Sequence, residues 1–221
     1  MGISRAATRA TATIHDADGG MASKRDVILE AATQVFLARG YGSASMDAIA
    51  KQAGVSKQTV YAHFGGKAAL FGAIVQARSD SIADMIPRPG APVGDPGEAL
   101  EAIARRFLTI VLSPEAVARF RVVMAESGRF PELARVFYDS GPKRATLALA
   151  EFLGRLDESG VLRVPDSQLA AGQFFAMVRG DLFLRNLLGL RQPTDAADVD
   201  AVVRHAVGNF IAVHRPSSAA E

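Results

Sequence analysis

The stretch that decides the fold reads SMDAIAKQAGVSKQTVYAHF and covers residues 45–64. Two short helices that cross steeply need a small residue where they touch, a turn residue that tolerates positive φ, and apolar side chains that close the wedge between them. Ala50, Gly54 and then Val55 and Val60 meet these needs in that order. The stretch therefore predicts a helix-turn-helix over about residues 46–65.

The second helix of this pair carries polar and amphipathic side chains that can meet phosphates and base edges. They are Lys57, Gln58, Thr59, Tyr61 and His63, and Ser56 precedes them at an N-terminus whose free backbone N–H groups can face phosphate. Between residues 45 and 67 the only acid is Asp47, against three lysines. This local excess is what a phosphate-docking surface requires, although the whole chain has a net charge of only +2. We expect double-stranded DNA as a partner.

The same region resembles the signature of TetR/AcrR transcriptional regulators. The residues that carry the resemblance are Gly40-Tyr41, 45–50, 53–56, Thr59-Val60-Tyr61, His63-Phe64, Lys67 and Leu70-Phe71, with departures at Ala44, Gln58 and Gly65-Gly66. The resemblance implies phosphate contacts from Ser45, Tyr61, His63 and Lys67, and groove contacts from Lys57, Gln58 and Thr59. Two alternatives stay open: Tyr61 as a packing residue with a solvated hydroxyl, and His63 as a helix C-cap.

The rest of the chain shows helical periodicity and no strand-like alternation, so we predict an all-α protein of roughly nine or ten helices. Residues 1–22 read as a flexible arm and residues 215–221 as a flexible tail. Residues 23–84 form the expected DNA-binding domain, residues 97–214 a helical effector-binding and dimerisation domain, and the Pro/Gly-rich segment 87–96 the hinge. The fourth helix, from Lys67 to about Ile86, joins the two domains and is expected to couple them.

The second half resembles the AefR-like C-terminal domain of TetR regulators over about residues 98–210, chiefly through residues 120–134 and Phe137-Tyr138. The resemblance implies a repressor more than any particular ligand. Apolar side chains that could line a cavity for a mainly apolar effector are Phe107, Phe120, Met124, Phe137, Phe174, Phe175, Met177 and Phe183. The alternative is that they simply fill the core. Four charged residues could orient a ligand or pair with one another: Arg121, Glu126, Arg179 and Asp181.

The last two helices have repeating apolar faces, among them Val178, Leu182, Val202, Ala206 and Phe210. Such faces can pack inside one chain or across a two-fold axis. The family resemblance implies the second, a homodimer interface, and with it a palindromic operator.

Composition excludes several other classes. The chain has no cysteine and four dispersed histidines, so we expect neither a metal nor a cofactor. Its apolar runs are too short to span a membrane, and its start lacks the apolar core of a secretory signal, so we expect a cytoplasmic protein. Glu126, Asp139 and Asp181 lack a nucleophile or a metal-ligand spacing beside them, so we do not expect an enzyme. The remaining alternative is a DNA-binding regulator controlled by a protein partner or by no effector.

Overall fold

The structure is a computed structural model that describes residues 23–87, 89, 94–190 and 195–216. These residues form ten α-helices and no strand, which confirms the all-α prediction. The helices are α1 Lys24–Ser43, α2 Met46–Ala53, α3 Lys57–Phe64, α4 Lys67–Ala83, α5 Pro96–Val111, α6 Pro114–Glu126, α7 Pro131–Ser140, α8 Pro142–Glu158, α9 Ser167–Leu188 and α10 Ala196–Val213. None of them is long and apolar enough to cross a lipid bilayer. The predicted arm, residues 1–22, and residues 217–221 of the predicted tail lie outside the described residues.

Local sequence explains where most helices begin. The side chains of four serines each accept a hydrogen bond from a backbone N–H three residues later, and these N-caps are Ser23, Ser45, Ser56 and Ser113. Asp166 caps α9 in the same way, whereas Asp95 and Asp195 cap α5 and α10 by accepting a hydrogen bond from the backbone N–H two residues later. Proline occupies the first helical position of α5, α6, α7 and α8, where its missing N–H costs nothing.

The first four helices close around one hydrophobic core. Its fully buried members include Phe36, Ile49, Val60 and Phe71, so each of these helices contributes an apolar face. Val123 of α6 and Leu133 of α7 belong to the same core, which ties the N-terminal domain to the second half of the chain.

A second core joins α5, α8, α9 and α10 and contains Leu108, Phe152, Phe174 and Phe210. The fourth helix belongs to both cores. Its N-terminal half buries Leu70, Phe71, Ile74 and Val75 in the first core, and its C-terminal end buries Ile82 in the second. A displacement of α4 must therefore disturb the packing of both cores.

Candidate nucleic-acid interface and ligand cavity

The turn between α2 and α3 sets the orientation of the predicted reading helix. Gly54 has a φ of 67° and a ψ of 28°, the left-handed conformation that ends α2. The N–H of Val55 returns to the Ala50 carbonyl oxygen at 3.1 Å, which closes the turn. Val60 and Phe64 are buried under α3, so the opposite side of this helix faces solvent.

The predicted DNA-contacting residues mostly lie on this solvent-facing surface. Six are exposed, namely Ser45, Ser56, Lys57, Gln58, Tyr61 and His63. Tyr61 is 44% exposed, which fits a DNA contact and also a packed ring with a solvated hydroxyl, so both readings of this residue stay predictions. Thr59 is only partly exposed, and its hydroxyl oxygen lies 2.8 Å from that of Ser56. A contact between Thr59 and a DNA base would therefore use the methyl group of the threonine.

Lys57 already has an anionic partner inside the chain. Its Nζ lies 3.0 Å from Oδ2 of Asp47, and both side chains are more than half exposed. The hydrogen bond to Asp47 raises the pKa of Lys57, so the lysine stays fully protonated. A phosphate contact by Lys57 would have to compete with this exposed pair, which is worth little in water.

Lys67 has an internal role that the sequence did not reveal. Its Nζ donates to the carbonyl oxygens of Tyr41 at 2.8 Å, Gly42 at 3.3 Å and Ala44 at 3.1 Å. The ammonium group also lies 4.5 Å from the centre of the Tyr41 ring. Lys67 therefore holds the end of α1, and its contact with phosphate remains a prediction that must compete with these carbonyl groups.

Arg25 is a cation of this surface that the sequence analysis did not single out. Its guanidinium carbon lies 5.5 Å from the centre of the Phe64 ring, so it sits at the C-terminal end of α3. Arg25 is exposed and lies in the first turn of α1. No local motif marks it, because its position depends on how α1 packs against α3.

Residues 40–44, which we call the junction segment, connect the N-terminal domain to α6. Gly40 has a φ of 74° and interrupts α1, so that the next two backbone N–H groups are free of the helix. Both bind Glu126 at the end of α6: the N–H of Tyr41 donates to Oε1 at 2.6 Å and that of Gly42 to Oε2 at 2.6 Å. A Cβ at Gly40 would overlap Oε1 of Glu126. The junction segment is thus held by Glu126 on its N–H side and by Lys67 on its carbonyl side.

A cavity of about 260 Å³ lies between α4, α5, α6, α7, α8 and α9. Five of the eight residues predicted to line a pocket do line it, namely Phe107, Phe120, Phe137, Phe175 and Phe183. Three predicted residues are elsewhere: Phe174 is fully buried in the second core, while Met124 is 62% and Met177 39% exposed. The aromatic walls contact one another, with ring centres 4.6 Å apart for Phe107 and Phe175 and 5.1 Å for Phe120 and Phe183.

The polar lining of the cavity is basic. Three arginines border it, Arg78, Arg119 and Arg179, together with Ser79 and Thr146 and no acidic residue. Arg119 is only 6% exposed, yet the sequence analysis passed over it. A signal was present, because Arg119 shares a helical face with Ala116, Phe120 and Val123, where a charge is unusual.

Four charged residues were predicted from the sequence to orient a ligand or to pair with one another, and of these Arg179 alone borders the cavity. Arg121 donates to the carbonyl oxygens of Leu187 and Asn186 at the end of α9. Asp181 pairs with Arg185 one helical turn away. Glu126 is used at the junction segment, so it does not orient a ligand in this arrangement.

Comparison with known proteins identifies the fold and the helix-turn-helix together. A family model for bacterial regulatory proteins of the tetR family matches residues 28–74. A model for the C-terminal domain of AefR-like transcriptional repressors matches residues 98–216, more than half of the chain. The chain is a TetR-family transcriptional regulator. Its DNA-binding element is the helix-turn-helix described above, and the family consists of regulators, not enzymes.

Individual proteins similar to this TetR-family regulator are also transcriptional regulators with a helix-turn-helix. SrpR of Pseudomonas putida, an HTH-type transcriptional regulator, is 27% identical over 193 residues, which cover 86% of this chain and 85% of SrpR. FasR of Mycolicibacterium smegmatis, an HTH-type transcriptional activator, is 35% identical over 88 residues, and the match spans only 40% of the length of FasR.

Solved structures extend the likeness to nearly the whole regulator. A TetR-family regulator from Mesorhizobium loti aligns with a TM-score of 0.74 at 29% identity and covers 87% of this chain and 96% of its own. The flavonoid-responsive regulator FrrA aligns with a TM-score of 0.71 at 38% identity and covers 88% of this chain and 98% of its own.

The residues predicted to form the dimer interface of the regulator lie inside one protomer. Val178, Leu182, Ala206 and Phe210 are buried in the described chain, and Val202 packs against the second core. Within the described protomer this face is already covered by the chain's own packing, and a role of these five residues at a dimer interface stays a prediction. The opposite side of the same two helices carries exposed apolar residues, Leu169, Met177, Leu184, Leu188 and Val213, which we call the α9–α10 outer face.

Proposed function

We propose that this protein is a homodimeric transcriptional repressor that binds a palindromic operator through α3 and is released by a small, mainly apolar effector. The observation that carries the proposal is the position of the cavity, whose lining includes Val75, Arg78, Ser79 and Ile82 of α4. A ligand there would contact α4, the helix that contributes residues to both hydrophobic cores. The name of FrrA, a flavonoid-responsive regulator, supports control by a small organic molecule.

The α9–α10 outer face supports the homodimer. Leu169 and Met177 lie before the backbone kink at Gly180 and Leu184 and Leu188 lie after it, and all four side chains are exposed in the single chain. Exposed apolar side chains in both halves of α9 favour contact with a partner. A second copy is the occupant we propose, since two copies related by a two-fold axis would present α3 twice to a palindromic site.

Coupling between cavity and operator would use two routes. The first is α4 itself, as its sequence position predicted. The second is α6, which places Arg119 and Phe120 on the cavity and Glu126 on the junction segment. Movement of α6 would be passed to the end of α1 and, through Lys67, to the start of α4. Movement along either route would change the distance between the two α3 helices of the dimer.

The alternative of control by a protein partner, or of no effector, predicts a second domain without an internal cavity. The 260 Å³ cavity argues against it. The comparisons differ on the direction of regulation, because the C-terminal family model names repressors while FasR is named an activator. We favour repression, since the family model covers the sensing domain and the match to FasR covers 40% of each chain.

An unbiased operator selection with the purified protein tests the proposal. We expect an inverted repeat, and we expect Gln58→Ala with Thr59→Ala to relax preference at defined positions by about 1–3 kcal/mol. Lys57→Ala should lower affinity for every sequence and reduce the salt slope by about one unit per half-site. Lys143→Ala is the matched control, because Lys143 is also exposed and ion-paired, with Asp139 at 2.9 Å, but lies on α8. Failure to select any DNA would overturn the proposal.

A further inference from the structure

The ligand cavity contains a buried cation without a partner. Ser79 and Arg119 are the two buried polar side chains in the part of the chain that the structure describes. Ser79 Oγ donates to the Gly141 carbonyl oxygen at 3.1 Å. The Arg119 guanidinium, by contrast, has neither a hydrogen bond nor an ion pair to any described residue, and it borders the cavity.

The electrostatic surroundings make this position costly in the empty protein. Burial lowers the pKa of Arg119, and the nearby charge of Arg78 lowers it further, while Glu115 acts weakly in the opposite sense. Glu115 is exposed and does not border the cavity. A guanidinium group nevertheless keeps its proton at neutral pH. The cavity therefore holds a largely desolvated positive charge that no described residue pairs by a hydrogen bond or a salt bridge.

The rest of the lining excludes an anion supplied by the protein itself. Arg78 and Arg179 border the same cavity, and none of the residues around it is acidic. The walls beside the arginines are aromatic, with the Phe107 ring tilted by 36° to that of Phe175 and the Phe120 ring set edge-on to that of Phe183. Charge and shape thus call for a molecule with one anionic end and an aromatic or otherwise apolar body.

We infer that the effector is a compact organic acid whose anionic group pairs with Arg119 while its apolar body lies against the phenylalanines. This inference rests on the proposed function and narrows its mainly apolar effector to an amphiphilic anion. A carboxylate suits Arg119 well, because a guanidinium group can bind both of its oxygens at once. The cavity volume of about 260 Å³ favours a body of one or two rings or a short acyl chain.

The test compares isosteric acids and amides by calorimetry on the full-length, DNA-free protein. The pairs are 2-naphthoate with 2-naphthamide and octanoate with octanamide, which differ within each pair only in the charged group. We expect the preferred body to bind about 10–100-fold more tightly as the acid than as the amide. Equal binding, preference for the amide, or binding of neither acid at millimolar concentration overturns the inference, and this comparison needs no variant.

Variants then assign the preference to one side chain. Arg119→Met should abolish the preference for the acid and leave amide binding in place, whereas Arg119→Lys should retain part of it. Arg119→Met should also raise the Tm of the ligand-free protein, because it removes an unpaired buried charge. Arg135→Met, an exposed arginine of α7, is the control and should change neither quantity. Acid preference that survives in Arg119→Met would overturn the assignment.

Operator binding measured in parallel separates this inference from the proposed function. If the wild-type protein binds its selected operator and shows no preference for acids, the proposed operator binding is supported and the inference of an anionic effector is wrong. If the wild-type protein binds no operator, the proposed function is wrong whatever the acid titration gives.

Discussion

At the scale of single residues, the contact between Glu126 and the junction segment is the most specific link between the two halves of the regulator. One carboxylate satisfies two backbone N–H groups that Gly40 has turned out of α1. Charge-assisted hydrogen bonds of this kind are shorter and stronger than neutral ones. The contact is therefore expected to stabilise the fold and to transmit movement of α6.

We predict that Glu126→Gln lowers the free energy of unfolding by about 1–3 kcal/mol, because an amide offers one acceptor where the carboxylate offers two. Urea denaturation followed by circular dichroism measures the change. In the same variant the effector should still bind while its power to release operator falls. Glu158→Gln, an exposed acid at the end of α8, is the control. An unchanged denaturation midpoint would show that the two hydrogen bonds contribute nothing to stability.

The residue-level predictions from sequence were most successful where the signal is local. Gly54 adopts the left-handed conformation expected of the turn residue, because this preference acts within three or four residues. The internal contacts of Lys67 and the position of Arg119 in the cavity were not predicted, because their signal is not local. What each cation faces is decided by elements far away in the sequence, the end of α1 for Lys67 and the walls of the cavity for Arg119.

At the scale of elements, α9 illustrates a limit of periodicity. One of its faces, with Ala171, Phe174 and Val178, is buried in the second core. The part of α9 on the α9–α10 outer face also carries apolar side chains, and these are exposed in one chain. A 3.6-residue period identifies both faces but carries no information on which one meets the rest of the chain and which meets another molecule.

We predict that Leu184→Asp yields a folded monomer, since Leu184 is 50% exposed in the protomer and lies on the α9–α10 outer face. Phe210→Asp should instead unfold the chain, because Phe210 is 1% exposed and a carboxylate there would be buried without a partner. Light scattering reports the mass and circular dichroism the helix content. Val27→Asp, which alters an exposed apolar residue of α1, should remain dimeric. A dimeric Leu184→Asp would place the interface elsewhere.

At the scale of the whole molecule, the described helices form two hydrophobic cores that share α4, with the cavity beside that helix. The sequence predicted the all-helical class, the helix-turn-helix and the start of the fourth helix. It did not predict the cavity lining in full, because a phenylalanine at helical spacing serves a packed core as well as a cavity wall. Packing of distant helices decides between the two, as the contrast between Phe174 and Phe175 shows.

We predict reciprocal coupling between the two sites. Saturating operator should weaken the binding of the preferred acid by about 5–150-fold, and the acid should weaken operator binding by the same factor. The reason is that a ligand shifts an equilibrium only by its differential affinity for the two states. Calorimetric titration with and without operator measures the factor, and a scrambled duplex at the same salt is the control. Equal acid affinities would show that the cavity binds its ligand without acting as a switch.

The close approach at the junction segment also restricts how this sequence can change over evolutionary time. A Cβ at Gly42 would lie 2.9 Å from Oε2 of Glu126 and 2.9 Å from Cε2 of Phe130. Alanine at position 42 therefore requires both of these side chains to move or to become smaller, so the effect of each substitution depends on which came first. Gly42 lies more than 80 positions before Glu126 and Phe130 along the chain, yet the three residues are expected to vary together in descendants of this protein.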